Sequence, residues 1–118
     1  MMMEIETGLS EQVARYLDLA AAEAKLTAAN MANVDTPGYH TKDIDFKTAM
    51  RQVMDQNDNL RLEPASNEVL DLPERPDGNN VNIDRESMVL SQTQLQYQMG
   101  VELIKGQFHT LLTAIKEQ

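Results

Sequence analysis

At 118 residues, with no Cys, no Trp and 4% aromatic residues, the chain is one domain at most. It can bury a single layer of core, and it has no disulfide and no thiolate metal site. A formal net charge of -9 and a pI near 4.5 exclude a nucleic-acid or anionic-membrane surface, since both need a basic patch.

The first element is a helix expected over 9–34. Ser10, with Glu11 behind it, suits an N-cap facing the positive end of the helix dipole. Val13, Tyr16, Leu17, Ala20, Ala24 and Met31 continue from Leu9 along one face at three- and four-residue steps. Leu19 and Leu26, with Ala22 and Ala29 nearby, make a second, thinner stripe. Pro37 disfavours helical geometry at Thr36, so the helix stops near Asn33 to Asp35, and Pro37-Gly38 fits the central positions of a type II turn. Two uses are open to Asn30 and Asn33 at this end. Their amides can hydrogen-bond the helix terminus locally, or fix register against a partner helix.

Beyond the turn the pattern alternates. Ile44 and Phe46 fall on one side of an extended chain, with Thr41, Asp43 and Asp45 on the other. Lys47 to Asp58 allows a short helical turn through Ala49, Met50 and Val53. Leu60-Arg61-Leu62 and Val69 to Leu72 are brief strands or loop anchors, and Pro76-Asp77-Gly78 is a tight turn. The whole of 35–83 therefore reads as turns, short extended segments and a variable loop.

Val81 and Ile83 make an extended entry to Asp84, which is expected to cap a second helix over 84–117. Leu90, Tyr97, Val101, Ile104, Phe108, Leu111 and Ile115 recur at near-heptad spacing, with Gln94 in the one polar slot of that seam. Met88, Val89, Leu95, Met99 and Leu103 gather on the opposite side. A helix apolar on two faces is not satisfied by one partner. Its remaining polar positions are mostly Gln, which can be buried through hydrogen bonds at less cost than a bare charge. The expected fold is mainly α: long N- and C-terminal helices packed as an antiparallel coiled-coil hairpin around a short irregular, β-like middle. With two helices and no third layer, burial only just offsets conformational entropy, so the remaining cover comes from assembly.

Little here points to catalysis. Asp43 and Asp45 share a strand face, but Lys42 and Lys47 beside them indicate a solvated surface. His40 and His109 sit in no metal-spaced motif, the five Gly are scattered, and no Ser or Thr has a partner pattern for nucleophilic attack. No catalytic, cofactor or metal residue is assigned. Nothing reaches membrane-spanning length, and the acidic start, Met1 to Glu6, lacks the basic and apolar regions of a cleaved secretory signal. On those grounds alone the expectation is a cytoplasmic protein.

Two segments carry a resemblance. Ala28-Ala-Asn-Met-Ala-Asn-Val-Asp-Thr-Pro-Gly-Tyr39, including Asn30, Asn33, Thr36, Pro37 and Gly38, resembles the N-terminal signature of the bacterial flagellar axial proteins that build the rod, hook and hook junctions. Asp43-Ile-Asp-Phe46 and Asp77-Gly-Asn-Asn-Val-Asn-Ile-Asp-Arg-Glu86 are similar to segments of the proximal-rod member of that family. Ala29 stands where the family pattern has Asn. The resemblance implies a structural subunit of the basal-body rod, without catalysis or cofactor, whose terminal helices pack at the core of a tubular periplasmic assembly. It also implies export without a cleaved signal through a type III apparatus, which overrides the cytoplasmic expectation. The implied partners are other rod proteins, the base of the rod at the inner-membrane ring, the export apparatus and further copies of the chain, with no membrane insertion. The alternative is a soluble helical adaptor or chaperone-like module offering its two-faced helix to one partner.

Overall fold

The structure is a computed structural model and describes residues 2–55 and 66–117. Helix α1 runs from Met2 to Ala32. It is followed by strand β1 (Lys42–Ile44), helix α2 (Phe46–Asp55), strand β2 (Ser66–Glu68) and helix α3 (Ile83–Lys116). The two long helices lie antiparallel and give an elongated body of 68 × 26 × 18 Å. The Leu60 to Leu62 segment falls outside the described residues.

Helix α1 starts earlier than its expected cap. No proline interrupts residues 2–9, so the helix runs unbroken past Ser10, whose hydroxyl instead donates a 2.9 Å hydrogen bond to Gln107 Oε1 on α3. The far end matches the expectation. Thr36 O accepts from Tyr39 N at 3.2 Å, and Gly38 takes φ +74°, the left-handed value that the third residue of a type II turn requires. Helix α3 is capped two residues before Asp84: Asn82 Oδ1 accepts from Asp84 N (3.0 Å) and Arg85 N (3.2 Å). Asp84 and Glu86 then fall in its first turn, where the dipole favours acids.

The middle of the chain holds more structure than alternation and proline content suggested. Strands β1 and β2 pair antiparallel, with Lys42 opposite Glu68 and Ile44 opposite Ser66. Phe46 is not a strand residue, because Asp45 caps α2 just ahead of it. The Asp45 carboxylate accepts from the Thr48 hydroxyl at 2.7 Å and from Thr48 N at 3.2 Å. Those bonds, the hydroxyl's first, hold its pKa below the ordinary Asp value. Val69 to Leu72 forms no strand. Val69 N donates to Thr41 O and the chain then turns through Leu70 and Asp71, the latter at φ +67°.

This middle segment supplies a third layer on one side. Leu19, Ile44 and Ala49 form a buried apolar cluster flanked by Ala22, Leu26, Phe46 and Met50, and the Tyr16 and Phe46 rings meet edge to face at 5.4 Å. Leu19, Ala22 and Leu26 of the thin second stripe of α1 are therefore covered within the chain, while Ala29 is exposed. Among the described residues nothing comparable covers the outer side of α3. Nine of the eleven exposed large hydrophobics among the described residues lie on it: Ile83, Met88, Leu95, Tyr97, Met99, Leu103, Phe108, Leu112 and Ile115.

Candidate assembly surface

The bend of the hairpin is tied by hydrogen bonds between the two segments singled out in the sequence. Asn30, on the last full turn of α1, is 1% exposed. Its Nδ2 donates to Lys42 O (2.8 Å) and to Glu86 Oε2 (3.1 Å), while its Oδ1 accepts from Tyr39 Oη (2.9 Å) and Lys42 N (3.2 Å). One amide thus joins α1, the turn, β1 and α3. Burial, and then the Glu86 charge, raise the Tyr39 pKa and keep its phenol a donor. Asn33 behaves differently. Its Nδ2 donates back to Ala29 O and its Oδ1 accepts from Thr36 Oγ1, so it finishes its own helix.

Asn79 and Asn80 work from the other segment. Asn79 Nδ2 donates to both Asn33 O and Thr36 O at 2.8 Å, adding a second bond to carbonyls that already accept from Thr36 N and Tyr39 N in the turn after α1. Asn80 Oδ1 accepts from Thr41 N at 2.6 Å. Arg75 donates to Val81 O (2.9 Å) and Val34 O, tying the loop to both. Gly38 N donates to Asp77 O, and a Cβ on Gly78 would stand 3.3 Å from Gly38 Cα, so the two turns meet through their glycines. At the start of α3, Arg85 bridges Glu86 (2.7 Å) and Asp43 (2.9 Å). The buried Glu86 carboxylate is paired on one oxygen by Arg85 and on the other by Asn30.

Above this clasp, the seam between α1 and α3 differs from the one that apolar spacing indicated. The α3 positions turned inward are Glu86, Thr93 and Gly100, which are buried, and then the half-buried Gln107, seven residues apart and none of them a large apolar side chain. Gln94 is exposed, and Tyr97 (45%), Phe108 (62%) and Ile115 (61%) lie largely in solvent rather than inside the hairpin. Leu90, Val101, Ile104 and Leu111 are half-buried along the flank. From α1, Val13 and Ala20 are buried, and Leu17, Ala24 and Met31 half-buried. The physical reason is close approach. A Cβ on Gly100 would come within 2.6 Å of Leu17 Cδ2 and 3.2 Å of Tyr16 Cδ1, so Leu17 seats on a glycine. A Thr–Gly–Gln stripe lets the backbones come together, and a Val or Phe stripe would hold them apart.

Apolar spacing therefore missed Glu86, Thr93, Gly100 and Gln107 as seam residues and Arg85, Thr41 and Asn79 as clasp residues. The Asp77–Glu86 match was the one signal that marked three of them. The Met88, Leu95, Met99 and Leu103 group is 56–59% exposed and faces away from α1. Glu23 adds a weak point in the seam: its Oε2 is buried without a hydrogen-bond partner, and burial, then the Asp43 charge, raises its pKa. Among the described residues no group of three or more His, Cys, Asp or Glu could hold a metal, and no helix is long and apolar enough to cross a membrane.

A long hairpin tied at its bend by the Thr-Pro-Gly-Tyr turn, with most of its exposed large apolar side chains on one helix, fits the resemblance to flagellar axial subunits that those turn residues carry. Comparison with known proteins narrows the class. The chain is 32% identical over 120 residues to flagellar basal body rod protein FlgB of Escherichia coli K12, covering 85% of this chain and 87% of that one. It is 32% identical over 121 residues to FlgB of Yersinia ruckeri, covering 86% and 88%. It is 28% identical to FlgB of Bacillus subtilis 168 over 125 residues, covering 96% and 97%. No protein-family model matches it. The chain belongs to the FlgB family of flagellar basal body rod proteins.

Proposed function

We propose that residues 1–118 act as one structural domain in the proximal rod of the basal body, transmitting torque as part of a tubular helical assembly and serving flagellum-dependent motility without catalysing a reaction. Its neighbours are other rod proteins, further copies of itself and the base of the rod at the inner-membrane ring. It reaches the periplasm through the type III export apparatus without a cleaved signal. The observation that carries this reading is the pairing of family membership with exposed apolar surface concentrated on α3. An enzyme would spend its polar groups on a cleft. Here the buried polar groups are spent on tying the hairpin. Tyr97, Phe108 and Ile115 on one flank of α3, and Met88, Leu95, Met99 and Leu103 on the other, are the residues assigned to contact neighbours. The adaptor alternative is not favoured, since the relatives named above are rod proteins.

The test is deletion of the gene followed by a motility assay and isolation of basal bodies. The expected result is loss of swimming with rods absent, restored by the intact gene and not by one lacking residues 110–118. Normal rods and swimming in the deletion strain would refute the proposal.

A further inference from the structure

The geometry points to one specific cover for the outer face of α3: the outward face of α1 in a second copy of the chain, laid alongside in the same orientation. This rests on the rod-subunit reading and adds which face meets which.

The first observation is charge. The chain carries -9, yet no Asp, Glu, Lys, Arg or His occurs between Ser87 and Val101, where Met88, Leu95 and Met99 stand exposed among Ser and Gln. A basic partner would be selected by acidic groups, and residues 88–100 have none; Glu102, at the far end of the face, already lies 3.7 Å from Lys105. A second copy, itself strongly acidic, can rest on an uncharged face without bringing like charges together. The second observation is what a copy offers in return. Ala14, Ala21 and Ala28 are exposed on α1 at heptad spacing, with exposed Asp18 and Lys25 of opposite sign between them. That strip is flat, and its two charges cancel. Large side chains from α3 can seat on it much as Leu17 seats on Gly100 within the chain.

Length and direction agree. Met88 to Leu103 spans ~22 Å of helix and Ala14 to Ala28 ~21 Å, at 1.5 Å per residue. Because α1 and α3 are antiparallel in the hairpin, copies set side by side in one orientation bring α3 of one antiparallel to α1 of the next. The contact uses a different patch on each copy, so it leaves both patches open for further copies and generates rings or open helical assemblies rather than a closed pair. An α3-to-α3 contact would give a closed two-fold dimer.

The chain has no cysteine, which makes crosslinking unambiguous. The full chain carrying Leu95→Cys is mixed under mild oxidation with Ala14→Cys, Ala21→Cys or Ala28→Cys at a concentration where sedimentation shows assembly. Circular dichroism checks that each variant keeps the helix content of the parent. A disulfide-linked dimer is expected in at least one mixture and in none of the single variants alone, and it is lost when Met99→Glu is added to the Leu95→Cys chain. Dimers from Leu95→Cys alone would mean an α3-to-α3 contact and overturn the pairing. Assembly without any mixed crosslink would overturn it while leaving the rod-subunit reading intact. No assembly at any concentration would count against both.

Discussion

Asn30→Asp tests the clasp with the smallest possible change in shape. The substitution keeps Oδ1, which accepts from Tyr39 Oη and Lys42 N, and replaces the Nδ2 donor with a carboxylate oxygen. That oxygen would stand 2.8 Å from Lys42 O and 3.1 Å from Glu86 Oε2, with no hydrogen to offer either. Losing the bond to the neutral carbonyl costs about 1 kcal/mol and the charge-assisted one about 1.5–3 kcal/mol. Two unit charges 3.1 Å apart repel by about 5 kcal/mol at an effective dielectric constant of about 20. Side-chain relaxation relieves part of this, so the net loss at pH 7 is about 3–6 kcal/mol, a large share of the ~5–15 kcal/mol that holds a small domain. At pH 4.5 a proton shared by the pair restores a donor and part of the loss returns. Urea unfolding of the full chain, followed by far-ultraviolet circular dichroism at both pH values, measures it. A variant as stable as the parent at pH 7, or one equally destabilised at both pH values, would refute the argument.

Gly100→Ala forces a Cβ into Leu17. Overpacking of about 1–3 kcal/mol outweighs or cancels the ~1 kcal/mol gained in helix propensity, whereas in a Leu17→Ala background the same change should stabilise; thermal melts of the four proteins would show this change of sign. Glu23→Gln removes a carboxylate whose pKa is raised in the folded chain. Stability tied to that group is fully present below its unfolded pKa and lost as pH rises through the folded value, so the variant should melt like the parent near pH 4 and above it at pH 7; equal melting at both would contradict the assignment. Phe108→Asp, at an exposed position, should leave the melt unchanged and still block incorporation into basal bodies, while Ile104→Asp, half-buried on the seam flank, should impair both; a normally swimming Phe108→Asp strain would rule out that contact.

The long helices, the turn at Pro37-Gly38 and the surplus of apolar surface on the second helix could be read from periodicity and composition because each has a local cause. The seam could not. Periodicity reads the largest apolar stripe as the partner-facing one, and in α3 that stripe lies to one side of the contact, half-buried at Leu90, Val101, Ile104 and Leu111 and exposed at Tyr97, Phe108 and Ile115, while Glu86, Thr93, Gly100 and Gln107 face α1. Glycine and threonine in a helix signal close approach only when the residue opposite is known, and Leu17 lies far away in sequence. The role of Asn30 was open for the same reason. Its partners come from Lys42, Tyr39 and Glu86, and only the bend that returns α3 to α1 brings Glu86 within reach. Helix α2 was underestimated because its cap, Asp45, also fits the alternation of a strand.

The two matched segments, separated by the middle of the chain, are the two sides of one joint. Gly38 and Gly78 touch, Asn79 completes the end of α1, and Asn30 holds Glu86. A joint fixed by directional hydrogen bonds sets the angle and register of the hairpin without drawing on the exposed apolar side chains of α3.

The surplus of uncovered α3 surface is tested most directly by introducing Met99→Cys as the sole thiol and comparing its maleimide labelling in the dilute purified chain and in isolated basal bodies. Rapid labelling of the free chain and protection in basal bodies is the predicted result. Equal labelling in both would mean that the outer face of α3 stays bare in the assembled rod, and the account would be wrong.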